Sequence, residues 1–555
     1  MTITVYCARK IITMNPMQPV ATHVAVREGR VLSVGSLDQV GAWGPYTLDG
    51  RFADKVLMPG LIEGHCHLKE GSMWDMPYLG WFDRRDPLGK VWSGLRSMDA
   101  VVARLRDIDA HMAAQGQPDD APLIAWGFDP IYFGGARMTV EHIDRASAAR
   151  PIVIAHANGH LMNVNSAMLA LAGINRDNEV EGVVKFDAGP SAGEPTGELQ
   201  EPAAMYLVVR RIGTAGLLSP MTAAGVRSFA RLACMQGVTT ATDLVNKLTP
   251  EDCGVLEDAL ADDAVGIRIL PAFQAFHGTH GAAQGAQHVL GLVPRNTDKL
   301  RYGLVKMMLD GSIQGFSARL RWPGHYNGAP NGIWVTAPSQ YEADFETYHR
   351  AGLQIHTHTN ADEASEAAIN AIERVLARAP RPDHRHTLQH GQMIDGPMFR
   401  RMSSLGLCAN LFANHLWYWG DQHHEVTLGP DRAARLNACA SALGAGVALA
   451  IHSDAPVTPL GPLFTAWCAV NRVTPKGRIL GEAERIGVPE ALRAITLGAA
   501  YTLKLDHEIG SIECGKRADF CVLADDPLSV APSALKDVRA WGTVLSGRVF
   551  EAATS

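Results

Sequence analysis

Short runs of β-branched and aromatic residues open and close the chain, and a different rhythm fills its middle. "ITVYCARKIITM", "HVAVREGRVLSVG" and "ADKVLMPG" read as β-strands, with "REGR" as a hairpin turn. Near the other end, "GSIECGKRADFCVLADDP" and "VRAWGTVLSGRVFE" repeat that texture around "CGK" and "SGR" turns. Between them, apolar strands alternate with helical stretches. The strands are "GVTTATDL", "VGIRILPAF", "GLVKMMLDG", "GLQIHTHT", "HTLQHG", "LCANLF" and "VALAIHSDAP"; the helices include "MTAAGVRSFARLACMQ", "ADEASEAAINAIERVLARA" and "DRAARLNACASALGA". Such βαβα order predicts a parallel sheet covered by helices. The number of units favours a closed (β/α)8 TIM-like barrel over an open doubly wound sheet, and no GxGxxG follows an early strand.

This pattern divides the chain. Residues 1–57 and 504–555 are expected to join in one small β-sandwich, with the barrel over 58–503. Residues from about 70 to 215 break the alternation and hold "MWDMPYLGWFDRRDP", "IAWGFDPIYFGG" and "HANGHLMNVNSAML". They read as a large insertion after the first barrel strand, on the side where barrel loops surround an active site.

Composition narrows the function classes. The 555 residues are 47% hydrophobic and 19% charged, so a large core is available, and the net charge of −7 comes without a basic run. This argues against nucleic acid as a partner. No apolar run is long enough for a membrane span, and the N-terminus lacks the pattern of a secretory signal. Nine scattered cysteines form no CxxC pair, so the expected location is the reducing cytoplasm. A homodimer is the default assembly.

"GHCHLKEG" brings chemistry into the picture. On a strand, His65 and His67 share a face and Cys66 faces away, so two imidazoles are offered side by side. Further along, Lys306, His358, His390 and Asp454 each sit at or near the end of a predicted barrel strand, where catalytic groups collect on this fold. A histidine in such a place is usually a hydrogen-bonded structural residue; six metal-capable residues in order on one scaffold are not so easily dismissed. His356 reads as buried support, His452 is not counted among the ligands, and His423 and His424 read as solvated.

The motifs "MPGLIEGHCHL", "GEPTGELQE", "VKMMLDGS", "HTHTNADEA", "LQHGQ", "IHSDAPVTPLGPL", "ITLGAAYTL" and "GSIECGKRADFCVL" carry a resemblance over nearly the whole length. The chain resembles the amidohydrolase superfamily, and within it the YtcJ-like branch that includes N-substituted formamide deformylases. The resemblance implies a metal-dependent hydrolase acting on a carbon–nitrogen bond, and the aromatic insertion favours a small, partly apolar or aromatic molecule as its substrate. It implies His65, His67 and Asp454 on one divalent ion, zinc by preference, and His358 and His390 on a second. Lys306, carboxylated by carbon dioxide, would bridge the two, and Asp454 would also shuttle protons. Zinc accepts imidazole and carboxylate ligands, and an unmodified ammonium is a poor ligand. A lysine that pairs with Asp310 beside a single ion is the competing reading.

Departures from the branch fall at positions expected to face substrate. Glu63 stands where aspartate is usual, Asn158 precedes Gly159 and His160, and Phe316 stands where arginine is frequent, with Arg319 three residues on. Trp126, Asn158, His160, Phe316, Arg319 and His415 are therefore substrate-binding candidates. Phe128, Tyr132 and Trp417 extend that set, although aromatic insertions are often core. A mononuclear deaminase of the same fold is the alternative, but its proton-shuttling glutamate is replaced by Ala361. A non-catalytic binding module is the third reading.

Overall fold

In the computed structural model of the protein, residues 2–134, 136–157, 159, 161–213, 221–276 and 281–552 are described. The chain divides into two compact units, Met1–His67 with Ala230–Ala553, and Leu68–Phe229.

In the first unit, both ends of the chain build one seven-stranded sheet. Tyr46–Pro59 lies at its centre, parallel to Ile3–Ile12 and antiparallel to Phe520–Leu523. Tyr6, Val24, Phe52, Phe520 and Val544 fill its core. The "REGR" turn pairs Arg27 with Arg30 around Glu28 and Gly29, at φ 56° and 72°. "LSGR" does the same between Leu545 and Arg548, with Ser546 and Gly547 at φ 49° and 79°. Two successive left-handed residues twist with the strands they join, which explains the glycine in each turn.

The same unit holds eight parallel strands in chain order: Leu61–Glu63, Val238–Asn246, Arg268–Gln274, Leu304–Met308, Gln354–Thr359, Thr387–His390, Cys408–Leu411 and Ala448–Ile451. All seven segments named from the alternation hold strands, and Leu61–Glu63, which leads into His65, is the eighth. Just beyond the last strand, Ala455 makes a parallel bridge to Cys66, and His67 N donates to Ala455 O at 2.7 Å while Asp454 N donates to His65 O at 3.1 Å. These bonds join the last strand's extension to the first strand's. A fully buried ion pair, Arg268 Nη1 to Asp519 Oδ2 at 2.6 Å, ties the third barrel strand to the terminal sheet.

Helix Asp362–Arg378 buries Ala364, Ala368, Ile369, Ile372 and Val375 on one face. Its start is fixed by Asp310, whose carboxylate accepts from Asn360 N and Ala361 N. By contrast, "DRAARLNACASALGA" is not one helix but two short ones, Pro430–Ala433 and Cys439–Gly444. The buried Arg472 guanidinium donates to the carbonyls of Leu436 and Asn437, and Asn437 sits at φ 48°. Those carbonyls cannot then serve a continuous helix.

The Leu68–Phe229 unit carries a five-stranded sheet in the order Val183–Lys185, Pro195–Gln200, Leu161–Val164, Ile152–His156, Leu123–Phe128. Its aromatics largely pack on one another. Trp126 is fully buried against Trp74 and Tyr78, at ring distances of 5.2 and 5.0 Å, with the Arg84 guanidinium 5.0 Å above it. Among the described residues, no helix is long and apolar enough to cross a membrane.

Candidate metal centre

Six side chains named from the sequence converge at the C-terminal ends of the barrel strands. Asp454 Oδ1 lies 3.3 Å from His65 Nε2 and 3.2 Å from His67 Nε2, and Oδ2 lies 3.7 Å from His390 Nδ1. Lys306 Nζ is 3.5 Å from His65 Nε2. The His390 ring is 4.5 Å from that of His65 and 4.3 Å from that of His358.

The backbone explains how neighbours in sequence reach one point. Strand alternation alone would send Gln389 and His390 to opposite faces. His390 ends its strand at φ 67°, and both side chains approach His65. Asp454 is likewise at φ 55°. Left-handed non-glycine residues are costly and persist where the surroundings enforce them, often at functional sites. Part of that enforcement is Glu63. Its carboxylate accepts from Ser453 Oγ at 2.6 Å and from Ser453 N at 3.1 Å, which locks the residue beside Asp454. Burial raises the Glu63 carboxyl to about 8.

A chain of hydrogen bonds sets the tautomer of His65. The Thr502 carbonyl can only accept, so His356 Nε2 donates to it at 3.2 Å. His356 Nδ1 then accepts from Gln389 Nε2 at 2.7 Å. Gln389 Oε1 is left to accept from Asn410 Nδ2 at 2.9 Å and from His65 Nδ1 at 2.8 Å. The His65 Nε2 lone pair therefore faces Asp454 and Lys306. This is how a carbonyl or amide behind a ligating histidine orients it.

Electrostatics fit a cation. Burial pushes His65 and His390 well below their ordinary range, so both are neutral and able to ligate. Burial also lowers Lys306 to about 7, against the pull of Asp454, so its neutral amine is populated near neutral pH. Asp310 is not its partner. That carboxylate also accepts from Arg319 N, and burial raises it to about 7. Both nitrogens of His390 and Nδ1 of His67 are buried without a hydrogen-bond partner among the described residues. Two groups, His65/His67/Asp454 and His65/His390/His452, each bring ligand atoms within 4.8 Å of one another. The donor set and the unmatched nitrogens both suit a divalent ion.

The substrate candidates fare differently. His415 is buried, 4.1 Å from the Phe412 ring, and its Nδ1 has no partner among the described residues. Phe316 sits at φ 58°, its ring 5.0 Å from His325. Arg319 is committed to Glu363 at 3.0 Å and to the Gly332 carbonyl at 2.9 Å. Trp126 belongs to the core of its own unit. Asn158 and His160 lie outside the described residues. Cys66 is packed behind its strand and donates to Thr242 O. Sequence reasoning left out Gln389 as the residue that orients His65, and it set His452 aside although His452 and Asp454 are two apart, the same spacing as His65 and His67.

An eight-stranded parallel barrel with histidines, a lysine and an aspartate gathered at its strand ends defines an amidohydrolase-type protein. The chain belongs to the amidohydrolase family: that family's model, Amidohydro_3, matches residues 53–550. Protein LONG AFTER FAR-RED 3 of Arabidopsis thaliana is 28% identical over 93% of this chain and 86% of its own length. YtcJ of Bacillus subtilis is 25% identical, covering 95% of each chain. N-substituted formamide deformylase of Arthrobacter pascens is 24% identical over 96% of each. Among solved structures, an uncharacterized metal-dependent hydrolase from Pyrococcus horikoshii OT3 shares the fold, with a TM-score of 0.69, 18% identity and coverage of 96% of this chain and 99% of that one.

Proposed function

We propose that this amidohydrolase-family protein is a metal-dependent enzyme that hydrolyses the carbon–nitrogen bond of a small, partly apolar amide, with the N-formyl and N-acyl aromatic amines as the first substrate class. The observation that carries this reading is the Asp454 carboxylate, held at φ 55° within 3.3 Å of both His65 and His67. In this reading His65, His67 and Asp454 would hold one ion, zinc by preference, and His358 and His390 would hold a second. Lys306, once carboxylated by carbon dioxide, would supply the ligand shared by both; a single ion beside the free amine is the simpler variant. A divalent cation there supplies Lewis acidity, polarising a carbonyl and acidifying water.

The chain's own residues do the rest. Gln389 keeps the His65 lone pair aimed into the site, and Glu63 with Ser453 holds Asp454 in place. Asp454 accepts a proton from the attacking water on a carboxylate oxygen and returns it to the amine nitrogen as the C–N bond breaks. An amine is a poor leaving group until it is protonated, so this transfer is the step the residue must supply. Of the named residues, His415 and Phe316 are the ones assigned here to contact substrate. The small-molecule substrate, a cytoplasmic location and a homodimer complete the proposal.

The test is a panel of N-formyl and N-acyl aromatic amines assayed by amine release. The expected result is turnover that a chelator abolishes and a divalent metal restores. Ammonia release from aminoheterocycles, with no amine from any acyl compound, would instead favour the deaminase reading.

A further inference from the structure

His452 is a buried imidazole of the barrel whose two ring nitrogens are both unmatched among the described residues. It follows the last barrel strand and has no exposed surface. Its ring is stacked between two others: His65 lies 4.5 Å away at 14°, and Phe412 4.9 Å away at 22°. His390 lies 5.1 Å off, edge to face. Neither ring nitrogen of His452 has a hydrogen-bond partner among the described residues.

A slot between two stacked rings suits phenylalanine. Phenylalanine would pack there equally well and carry no polar atoms. A neutral imidazole brings one donor and one acceptor, and burying both unmatched costs stability. The neighbours cannot answer either atom. His65 has its Nδ1 taken by Gln389 and its Nε2 turned to Asp454 and Lys306. Phe412 has nothing to offer. His390 also has both nitrogens unmatched. What the three imidazoles share is one ligand atom each, all within 4.8 Å.

We infer that His452 is a further metal ligand of this chain, forming with His65 and His390 a three-imidazole set beside the His65/His67/Asp454 group. The inference rests on the proposed metal site and adds a seventh protein ligand to it. It predicts a centre richer in nitrogen, and therefore more suited to zinc or cobalt than to magnesium or calcium.

The test replaces the nitrogens and keeps the stacking. His452→Phe, His65→Ala and wild type are each stripped of metal and titrated with cobalt(II), read by the visible absorption of the bound ion and by competition with a chelator. Thermal unfolding of the metal-free proteins checks that His452→Phe folds like wild type. The expected result is a cobalt affinity at least about tenfold weaker in His452→Phe, with a changed absorption spectrum. Wild-type affinity and spectrum in His452→Phe, with cobalt lost in His65→Ala, would overturn the role of His452 and leave the metal site standing. Cobalt binding unchanged in His65→Ala would bring down the metal site and this inference together. Should His452→Phe not fold, anomalous diffraction from zinc-loaded wild-type crystals decides. An ion roughly 2.0–2.1 Å from a His452 nitrogen supports the inference. An ion beyond bonding distance refutes it.

Discussion

The barrel holds two buried histidine groups at opposite ends of one strand. His384 and His386 lead into Thr387–His390, and with His349 they form a group at its start; His390 closes it and belongs with His65, His67 and His452. Residue type is the same, and burial lowers the affinity of His349, His384 and His386 at one end, and of His65, His390 and His452 at the other, for protons. Their hydrogen bonds differ. At the strand's start, His349 Nε2 donates to Ala379 O and its Nδ1 accepts from His386 Nε2. His386 Nδ1 accepts from Ile355 N, His384 Nδ1 accepts from His386 N, and His384 Nε2 donates to Leu405 O. Every nitrogen is satisfied by a neutral tautomer. At the strand's end, both nitrogens of His390 and of His452 are unmatched. The comparison teaches that burial alone does not distinguish a structural histidine from a ligand; the fate of its lone pairs does.

The sharpest way to break the comparison is at Asp454, which has no counterpart in the other group. Asp454→Asn keeps the shape and one oxygen but cannot accept the proton. A fall in kcat on amides of about 10²–10⁴-fold is expected, with a smaller loss on an activated ester that needs no leaving-group protonation. Equal losses on both substrates would reduce Asp454 to a ligand. Next comes Gln389→Leu. Without its acceptor, His65 samples both tautomers, and metal affinity should fall about 10–100-fold in a chelator competition. The nitrogen-15 shifts of the His65 ring in the metal-free protein would show the mixed tautomer directly. An unchanged affinity would mean that the ring needs no such guide.

His386→Ala should do the opposite. It leaves His349 Nδ1 and Ile355 N without partners in a buried place, so denaturant unfolding should record a loss of about 1–3 kcal/mol or more. Metal binding should stay as in wild type; a parallel loss of metal would show that the two ends are not separable. The smallest effect is a pH slope in the same group. His349, His384 and His386 have folded-state affinities for protons below that of a free imidazole, mainly through burial. Above roughly pH 6.5 both folded and unfolded chains are neutral there. Below it, the unfolded chain takes up protons that the folded group refuses. Stability should therefore drop as pH falls, by up to about 1.4 kcal/mol per pH unit for each histidine, and His386→Ala should flatten the slope.

Much of this was legible in the sequence, because the repeating period of the barrel is strong. Seven of the eight barrel strands follow from the alternation of apolar runs and helical stretches. His65, His67, Lys306, His358, His390 and Asp454 could be named because each stands at or near a strand end. What stayed hidden depends on backbone angles and long-range partners. Period-two reasoning cannot foresee that φ 67° at His390 turns it toward the ring that Gln389 also touches. Nor does local pattern foresee Arg472 taking the carbonyls that would have continued a helix through 431–445. Trp126 looked like a pocket residue because aromatics were dense around it, yet that density is the core of its own unit.

In the proposed reading, one end of this strand is built for a cation and the other for the fold. Bound divalent metal per chain, measured by elemental analysis after loading and desalting, tests it most directly. Wild type, the His65→Ala/His390→Ala double variant and the His384→Ala variant should be compared. The expected result is bound metal in wild type and in His384→Ala, and close to none in the double variant. Metal retained by the double variant at the wild-type level would contradict it.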